Sequence, residues 1–261
     1  MSYETILFNV ADGVATITLN RPDTLNAFND VMIRETTDAF KQAGRNRDIR
    51  CVVITGAGRG FSSGQDLADV QSRRDNFSIG EHLRHGYHRL IKAMVRLEKP
   101  VIAAVNGVAA GAGVGVALAA DIRIAAEKAS FILAFSRVGL IPDSGVNWFL
   151  PRIIGYARAY QMAITAEKVR AEQALAWGMV NEVAPLDTFQ ERVQAWAQQL
   201  ASGPSLAFGL TKRAMYKALT QTLDEALDYE AYLQEIAGRS HDYREGVQAF
   251  LEKRPPQFTG S

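Results

Sequence analysis

The chemistry legible in this chain lies in two loops of small residues and one acid. An apolar run at residues 101–105 leads into Asn106-Gly-Val-Ala-Ala-Gly-Ala-Gly-Val-Gly115, then into Val116-Ala-Leu-Ala-Ala120 and Asp121. That order predicts a buried strand, a tight loop and a helix start packed so closely that large side chains are excluded. Free N–H groups at a helix start carry the positive end of the helix dipole, which suits them to hold a developing oxyanion. A second loop of this kind, Gly56-Ala-Gly-Arg-Gly-Phe-Ser-Ser-Gly-Gln-Asp66, follows the apolar run at 51–55. Two strand-to-helix loops shaped for close backbone approach point to one site made from two sets of amide N–H groups.

The acid is Asp143, in Leu140-Ile-Pro-Asp-Ser-Gly145. A carboxyl in apolar surroundings has a raised pKa and can shuttle a proton. Asp is equally suited to cap the helix that follows, and both roles stay open. Gly60-Phe-Ser-Ser-Gly64 fits the pattern of a hydrolase nucleophile at Ser62. None of the four histidines (His82, His85, His88 and His241) falls in the late strand-to-helix loop such an enzyme needs, so Ser62 reads as a serine in a small-residue turn. His82, His85 and His88 recur every three residues and drift around a helix surface. With no paired carboxylate or cysteine beside them, they read as a solvated face and not as a metal site. Neither glycine loop completes G-x-G-x-x-G or carries a P-loop lysine, so no dinucleotide or nucleotide-phosphate site is expected.

These groups need rigid elements behind them. Residues 5–11 and 14–19 predict a hairpin around Asp12-Gly13. Helices are expected at 29–43, 82–97, 151–164 and 171–177, and further strands at 122–125 and 130–134. Residues 68–80 are polar and charged, and are expected to be mobile. From about residue 187 the pattern is helical, broken at Gly203-Pro204, near Thr220 and at Ser240. Ala226, Tyr229, Leu233 and Ile236 share one helix face. Alternating strands and helices followed by helices alone predict an α/β core with an α-helical appendage.

Composition fits that plan. The 261 residues are 48% hydrophobic and 22% charged, enough for one full core. A net charge of +1 gives no electrostatic footprint for nucleic acid. Cys51 is the only cysteine, which rules out a disulfide within the chain and suits a reducing, cytoplasmic compartment. The first residues show no signal-peptide pattern. The small apolar stretch at 100–120 is interrupted by Asn106 and glycines, so it makes a poor membrane span.

In order along the chain stand Asn20-Arg-Pro22, Leu25-Asn-Ala27, Gly60-Phe-Ser-Ser-Gly-Gln-Asp-Leu67 and Lys99-Pro-Val-Ile-Ala-Ala-Val-Asn-Gly107. After these come Ala120-Asp121, Gly139-Leu-Ile-Pro142, Ala174-Leu-Ala-Trp-Gly-Met-Val-Asn-Glu-Val183 and Phe250-Leu-Glu-Lys-Arg254. With these motifs the chain resembles the crotonase (enoyl-CoA hydratase/isomerase) superfamily over nearly its whole length. The resemblance implies a spiral of β-β-α units over residues 1–195, with helices for trimerisation over 196–261. It implies an acyl-CoA thioester whose carbonyl oxygen is held by the backbone N–H groups of Gln65 and Ala112. Ala27, Ser63, Gly64, Gln65, Asp66, Leu67, Gly111 and Phe135 would contact that substrate. Coenzyme A would be part of the substrate, with no metal or redox cofactor. A homotrimer or a dimer of trimers is expected, and neither a nucleic acid nor a membrane as partner.

Departures from the family pattern refine the expectation. Hydratases of the superfamily carry two glutamates that activate water; this chain has Gly115 and Phe135 at those positions. Asp143 stands where hydratases carry glycine, and a lone carboxylate suits moving a proton along a bound acyl chain. A narrower resemblance, to members that open an aromatic ring epoxide to an oxepin and shift enoyl double bonds, is carried by several segments. These are Thr55-Gly-Ala-Gly-Arg-Gly-Phe61, Gly107-Val-Ala-Ala-Gly-Ala-Gly113, Ala134-Phe-Ser136 with Gly139-Leu-Ile-Pro-Asp143, Asp242-Tyr-Arg-Glu-Gly-Val247 and Pro256-Gln-Phe-Thr-Gly260. Ser144-Gly-Val-Asn147 departs from that group, which tends to a cysteine and a further glycine there. The rival readings are a Δ3,Δ2-enoyl-CoA isomerase, a serine hydrolase acting through Ser62 and a non-catalytic acyl-CoA-binding protein.

Overall fold

The computed structural model describes residues 3–71 and 78–261. Strands β1 (Ile6–Ala11) and β2 (Val14–Leu19) form the expected hairpin, paired from Ile6↔Leu19 to Ala11↔Val14. Asp12 and Gly13 both have positive φ, the twist that a two-residue hairpin loop requires. Beside β2 lie β3 (Cys51–Gly56), β5 (Val101–Val105), β7 (Ile122–Ala126) and β10 (Glu182–Ala184), all parallel. A second sheet holds β4 (Gly60–Ser62), β6 (Val108–Ala110) and β8 (Ser130–Ile132) in parallel, with β9 (Lys168–Arg170) antiparallel at its edge. The pairs β3/β4, β5/β6 and β7/β8 each place one strand in each sheet before the chain turns away. This is the spiral of β-β-α units.

The helices are α1 (Asp30–Arg45), α2 (Leu67–Gln71), α3 (Ile79–His85), α4 (Tyr87–Val95), α5 (Ala112–Leu118) and α6 (Val146–Ile154). They continue with α7 (Tyr156–Thr165), α8 (Ala171–Ala176), α9 (Phe189–Ala201), α10 (Ser205–Ala218), α11 (Leu223–Gly238) and α12 (His241–Glu252). Strands β3 and β5 are almost wholly buried, as parallel strands covered on both faces must be. The main core gathers Phe28, Phe40, Phe61, Tyr87 and Phe131. On the opposite face of the large sheet, α9 lays Phe189, Val193, Ala197 and Ala201 against Cys51, Val53, Ile102 and Ile124. It therefore straddles residue 195, where the core was expected to end. Helix α10 is tied on by the Lys212–Asp121 ion pair at 2.8 Å, and by Arg50, which donates to Ser205 Oγ and to the carbonyl of Phe258. Of the face expected at 226, 229, 233 and 236, Leu233 is buried and the rest are half-buried.

Several expected boundaries are corrected. The helix expected at 82–97 breaks at Gly86, where a Cβ would stand 2.8 Å from the His82 carbonyl and 3.5 Å from Ile33 on α1. The helix expected at 151–164 is two helices, α6 beginning before Pro151 and α7 following Gly155 at φ 81°. Residues 68–71 and 79–80 are helical where mobility was expected, and the middle of that stretch, 72–77, lies outside the described residues. Strands β4, β6, β9 and β10 were not foreseen. Three residues are too few to show an alternation.

Candidate active site

The first loop is pinned to Phe28. Phe28 N–H donates to the Gly64 carbonyl at 2.7 Å and Asp66 N–H to the Phe28 carbonyl at 2.9 Å. In such a bridge the groups flanking Gln65 face Phe28, so the Gln65 N–H points away from it. The second loop turns at Gly111, whose φ of 50° and ψ of −121° favour glycine. Ala112 then opens α5 with an N–H that has no partner within the helix. A Cβ on Gly64 would lie 2.8 Å from the Ala110 carbonyl and 3.5 Å from the Ala112 nitrogen, and one on Gly113 would lie 2.8 Å from the Ser62 carbonyl. The loops therefore touch only because these positions carry no side chain. Among the described residues, no hydrogen bond engages the N–H of Gln65 or of Ala112. Two such donors on one wall can hold an oxygen that gains negative charge.

That wall belongs to a cavity of about 190 Å³. Gly64, Gln65, Gly111 and Ala112 give it a backbone lining, and Leu83, Tyr87, Phe135, Val138, Leu140 and Asp143 add side chains to the same cavity. Burial among these apolar groups raises the Asp143 pKa above the ordinary carboxylate value. The Ser144 hydroxyl, at 2.8 Å from Oδ1, and the nearby His82 and His88 act the other way. The capping role is overturned. Helix α6 is capped by Gly145 with no side-chain hydrogen bond, and Asp143 meets its start only through the backbone carbonyl, which accepts from Val146 N–H at 2.9 Å. Ser144 and Gly145 both have positive φ, and Ser144 is a buried residue in a conformation that non-glycine residues seldom adopt.

The positions of the two missing glutamates are filled in specific ways. A Cβ at Gly115 would stand 2.5 Å from the Ser144 carbonyl and 2.8 Å from its Cβ. The loop that presents Asp143 thus occupies the space a residue-115 side chain would need. Phe135 is buried, with its ring edge 3.8 Å from where a Gly111 Cβ would be, and it gives the donor wall an apolar neighbour.

Of the residues expected to contact substrate, Ser63, Gly64, Gln65, Leu67, Gly111 and Phe135 line the cavity; Ala27 and Asp66 do not. Asp66 instead pairs with Arg21 at 2.9 Å and accepts from Ala68 N–H, while the carbonyl of Ala27 accepts from Arg21. These two hold the first loop. Ser62 is fully buried, donates to the Asn26 carbonyl at 2.8 Å and accepts from Gly64 N–H, which removes it as a nucleophile. His82 is not on a solvated face. It lines the cavity, with Nε2 3.0 Å from Gln65 Oε1 and Nδ1 3.4 Å from Asp30 Oδ1; His85 and His88 are exposed as expected. Tyr87, whose hydroxyl donates to Gln65 Oε1 at 2.8 Å, was not singled out, nor was Leu83 or Val138. Helical spacing marks such residues only as core. Among the described residues, no cluster of His, Cys, Asp or Glu could hold a metal ion, and no helix is long and apolar enough to cross a membrane.

Residues 9–261 match the enoyl-CoA hydratase/isomerase family. The chain is 50% identical to 1,2-epoxyphenylacetyl-CoA isomerase of Escherichia coli, over 98% of its own length and 99% of that protein's. It is 36% identical to trans-2-decenoyl-[acyl-carrier-protein] isomerase of Streptococcus mutans over the full length of both. Among solved structures, an enoyl-CoA hydratase from Polaromonas sp. JS666 superposes with a TM-score of 0.92 at 33% identity, covering 97% of this chain and 99% of the other. Sequence and spiral agree along the whole molecule: the chain is an enzyme of the enoyl-CoA hydratase/isomerase family.

Proposed function

We propose that this enzyme is an acyl-CoA isomerase that converts 1,2-epoxyphenylacetyl-CoA to the oxepin-CoA and also shifts double bonds in enoyl-CoA thioesters. Asp143 carries the reading: it is the acid of a cavity that Gln65 and Ala112, with their unengaged N–H groups, also line. The thioester oxygen sits between those two donors. For a shift from the 3,4 to the 2,3 position, the Asp143 carboxylate takes a proton from C2. The C–H electron pair moves toward the carbonyl, giving a dienolate whose charge rests on the held oxygen. The same proton returns at C4 as the electrons flow back. Substrate and product have the same atoms and oxidation state, so the step consumes no oxidant or reductant. Ring-epoxide opening is likewise an isomerisation. The E. coli relative's name and the aromatic side of the cavity, with Tyr87 and Phe135, support the epoxide substrate. Leu83, Val138 and Leu140 would also suit an aliphatic chain, which favours Δ3,Δ2-enoyl-CoA isomerase as the second reading.

The enzyme works as a trimer or a dimer of trimers in the cytoplasm. Phe250 and Leu251, 82% and 74% exposed on α12, support assembly through the C-terminal helices. A panel of CoA thioesters followed by absorbance and mass tests the catalytic reading. Isomerisation of the ring epoxide and of a 3-enoyl-CoA is expected, with crotonyl-CoA barely hydrated. Hydration at about ten turnovers per second, an ordinary enzyme rate, would sink it. Conversion of the 3-enoyl-CoA alone would select the second reading.

A further inference from the structure

We infer that Tyr87 and His82 form a clamp on the Gln65 side chain that positions the Gln65 backbone N–H, making them positioning residues for thioester activation. The inference rests on the proposed role of that N–H as a donor to the thioester oxygen. Gln65 Oε1 receives the Tyr87 hydroxyl at 2.8 Å and faces His82 Nε2 at 3.0 Å. The Gln65 amide nitrogen donates to the Asp66 carbonyl at 3.3 Å, which fixes the oxygen as the end that meets the two helices. Since that oxygen only accepts, the bond to it requires a proton on His82 Nε2.

The clamp and the backbone form one unit. The Tyr87 ring packs edge-on against Phe28 at 5.9 Å and against His82 at 5.7 Å. Phe28 is the residue whose N–H and carbonyl grip the chain on either side of Gln65. The Gln65 peptide is therefore held through its neighbours on one side and through its side chain on the other. Gly86 separates α3 from α4, and the break allows His82 and Tyr87, from two helices, to meet one acceptor. Tyr87 is buried, and burial together with the Asp143 charge keeps its hydroxyl protonated, so it remains a donor throughout the working range of pH.

A hydrogen-bond donor aimed at a developing charge loses effect steeply when it is misplaced. Tyr87→Phe keeps the ring and removes the hydroxyl; Gln65→Met keeps the length and removes the acceptor. Each is expected to lower kcat about ten- to hundredfold with little change in KM, because the loss falls on the charged state. The double variant is expected to be no slower than Gln65→Met alone, since Tyr87 acts through Gln65. Equal losses from Tyr87→Phe in both backgrounds would place Tyr87 on the substrate itself and overturn the clamp. So would wild-type kcat in Gln65→Met, a variant that leaves both helices intact.

The thioester carbonyl band of bound phenylacetyl-CoA, read by isotope-edited infrared difference spectroscopy, separates this inference from its premise. A shift to lower frequency is expected in the wild type and a smaller one in both variants. No shift in the wild type removes the premise, and the clamp with it. A wild-type shift that is undiminished in both variants removes the clamp alone.

Discussion

The cavity has a backbone wall and a side-chain wall that meet at Phe135 and Tyr87, and the two are held in place by opposite means. The donor wall of Gly64, Gln65, Gly111 and Ala112 exists because nothing larger than hydrogen fits at Gly64 and Gly113. The side-chain wall of Leu83, Tyr87, Phe135 and Asp143 exists because particular side chains fill it. The first wall, with its two N–H donors, suits an oxygen able to carry charge. On the proposed reading the second fixes what happens next, since it would supply the proton carrier and the shape around the acyl group. A family can keep the first and change reactions through the second.

The sharpest way to break that division is at Asp143. Asp143→Asn preserves shape and the capacity to meet Ser144 but cannot accept the substrate proton. Isomerase turnover is expected to fall about a hundred- to ten-thousandfold, with CoA-ester binding close to wild type by calorimetry. If turnover is unchanged, the side-chain wall does not hold the proton carrier.

A second test asks whether the walls can be exchanged. Gly115→Glu would restore a family glutamate on the donor side, but its Cβ would meet the Ser144 carbonyl at 2.5 Å. The variant is expected to lose about 3 kcal/mol or more of stability, seen as a lower melting temperature, and to gain no hydratase activity. A stable Gly115→Glu enzyme that hydrates crotonyl-CoA would show that the Asp143 loop and residue 115 do not compete for space.

The same contrast explains what the sequence made legible. Close backbone approach forces small residues at fixed places, so the runs at 56–66 and 107–115 announced the donor wall before any fold was known. The long buried strands at 51–55 and 101–105 announced themselves equally well. Tyr87, His82 and Leu83 announced nothing, because a residue facing a cavity and one facing the core share the same helical spacing. His82 was misplaced for a related reason. The Gly86 break re-aims α3, so a spacing argument over one continuous helix pointed it toward solvent. Asp143 stood out as an acid among apolar residues, but only the fold could decide between cap and cavity.

A third test lies on the scaffold of the donor wall. The Ser62 hydroxyl is buried and bridges the Asn26 carbonyl and Gly64 N–H. Ser62→Ala leaves both without that partner and is expected to cost about 1–3 kcal/mol in denaturant unfolding. The wild type is expected to resist fluorophosphonate labelling, and labelling at Ser62 would revive the hydrolase reading.

The smallest expected effect concerns pH, and it joins stability to activity at one residue. Burial raises the Asp143 pKa, and the Ser144 hydroxyl works against that rise. Only the ionised form can take a proton, so kcat/KM is expected to fall on acidification, with a midpoint above the ordinary carboxylate value. Ser144→Ala removes a bond that favours the charged form and should move that midpoint further up. The stability consequence has a definite sign. A carboxyl whose folded pKa exceeds its unfolded value contributes stability below the unfolded pKa and loses it as pH rises through the folded one. At neutral pH the ionised Asp143 therefore weighs against the fold, and Asp143→Asn should melt at the wild-type temperature or slightly above it. That advantage should disappear as pH is lowered through the same window in which wild-type activity falls. A variant that melts lower than wild type at neutral pH would mean that Asp143 supports the loop, and the separation between the wall that holds and the wall that reacts would fail at its central residue.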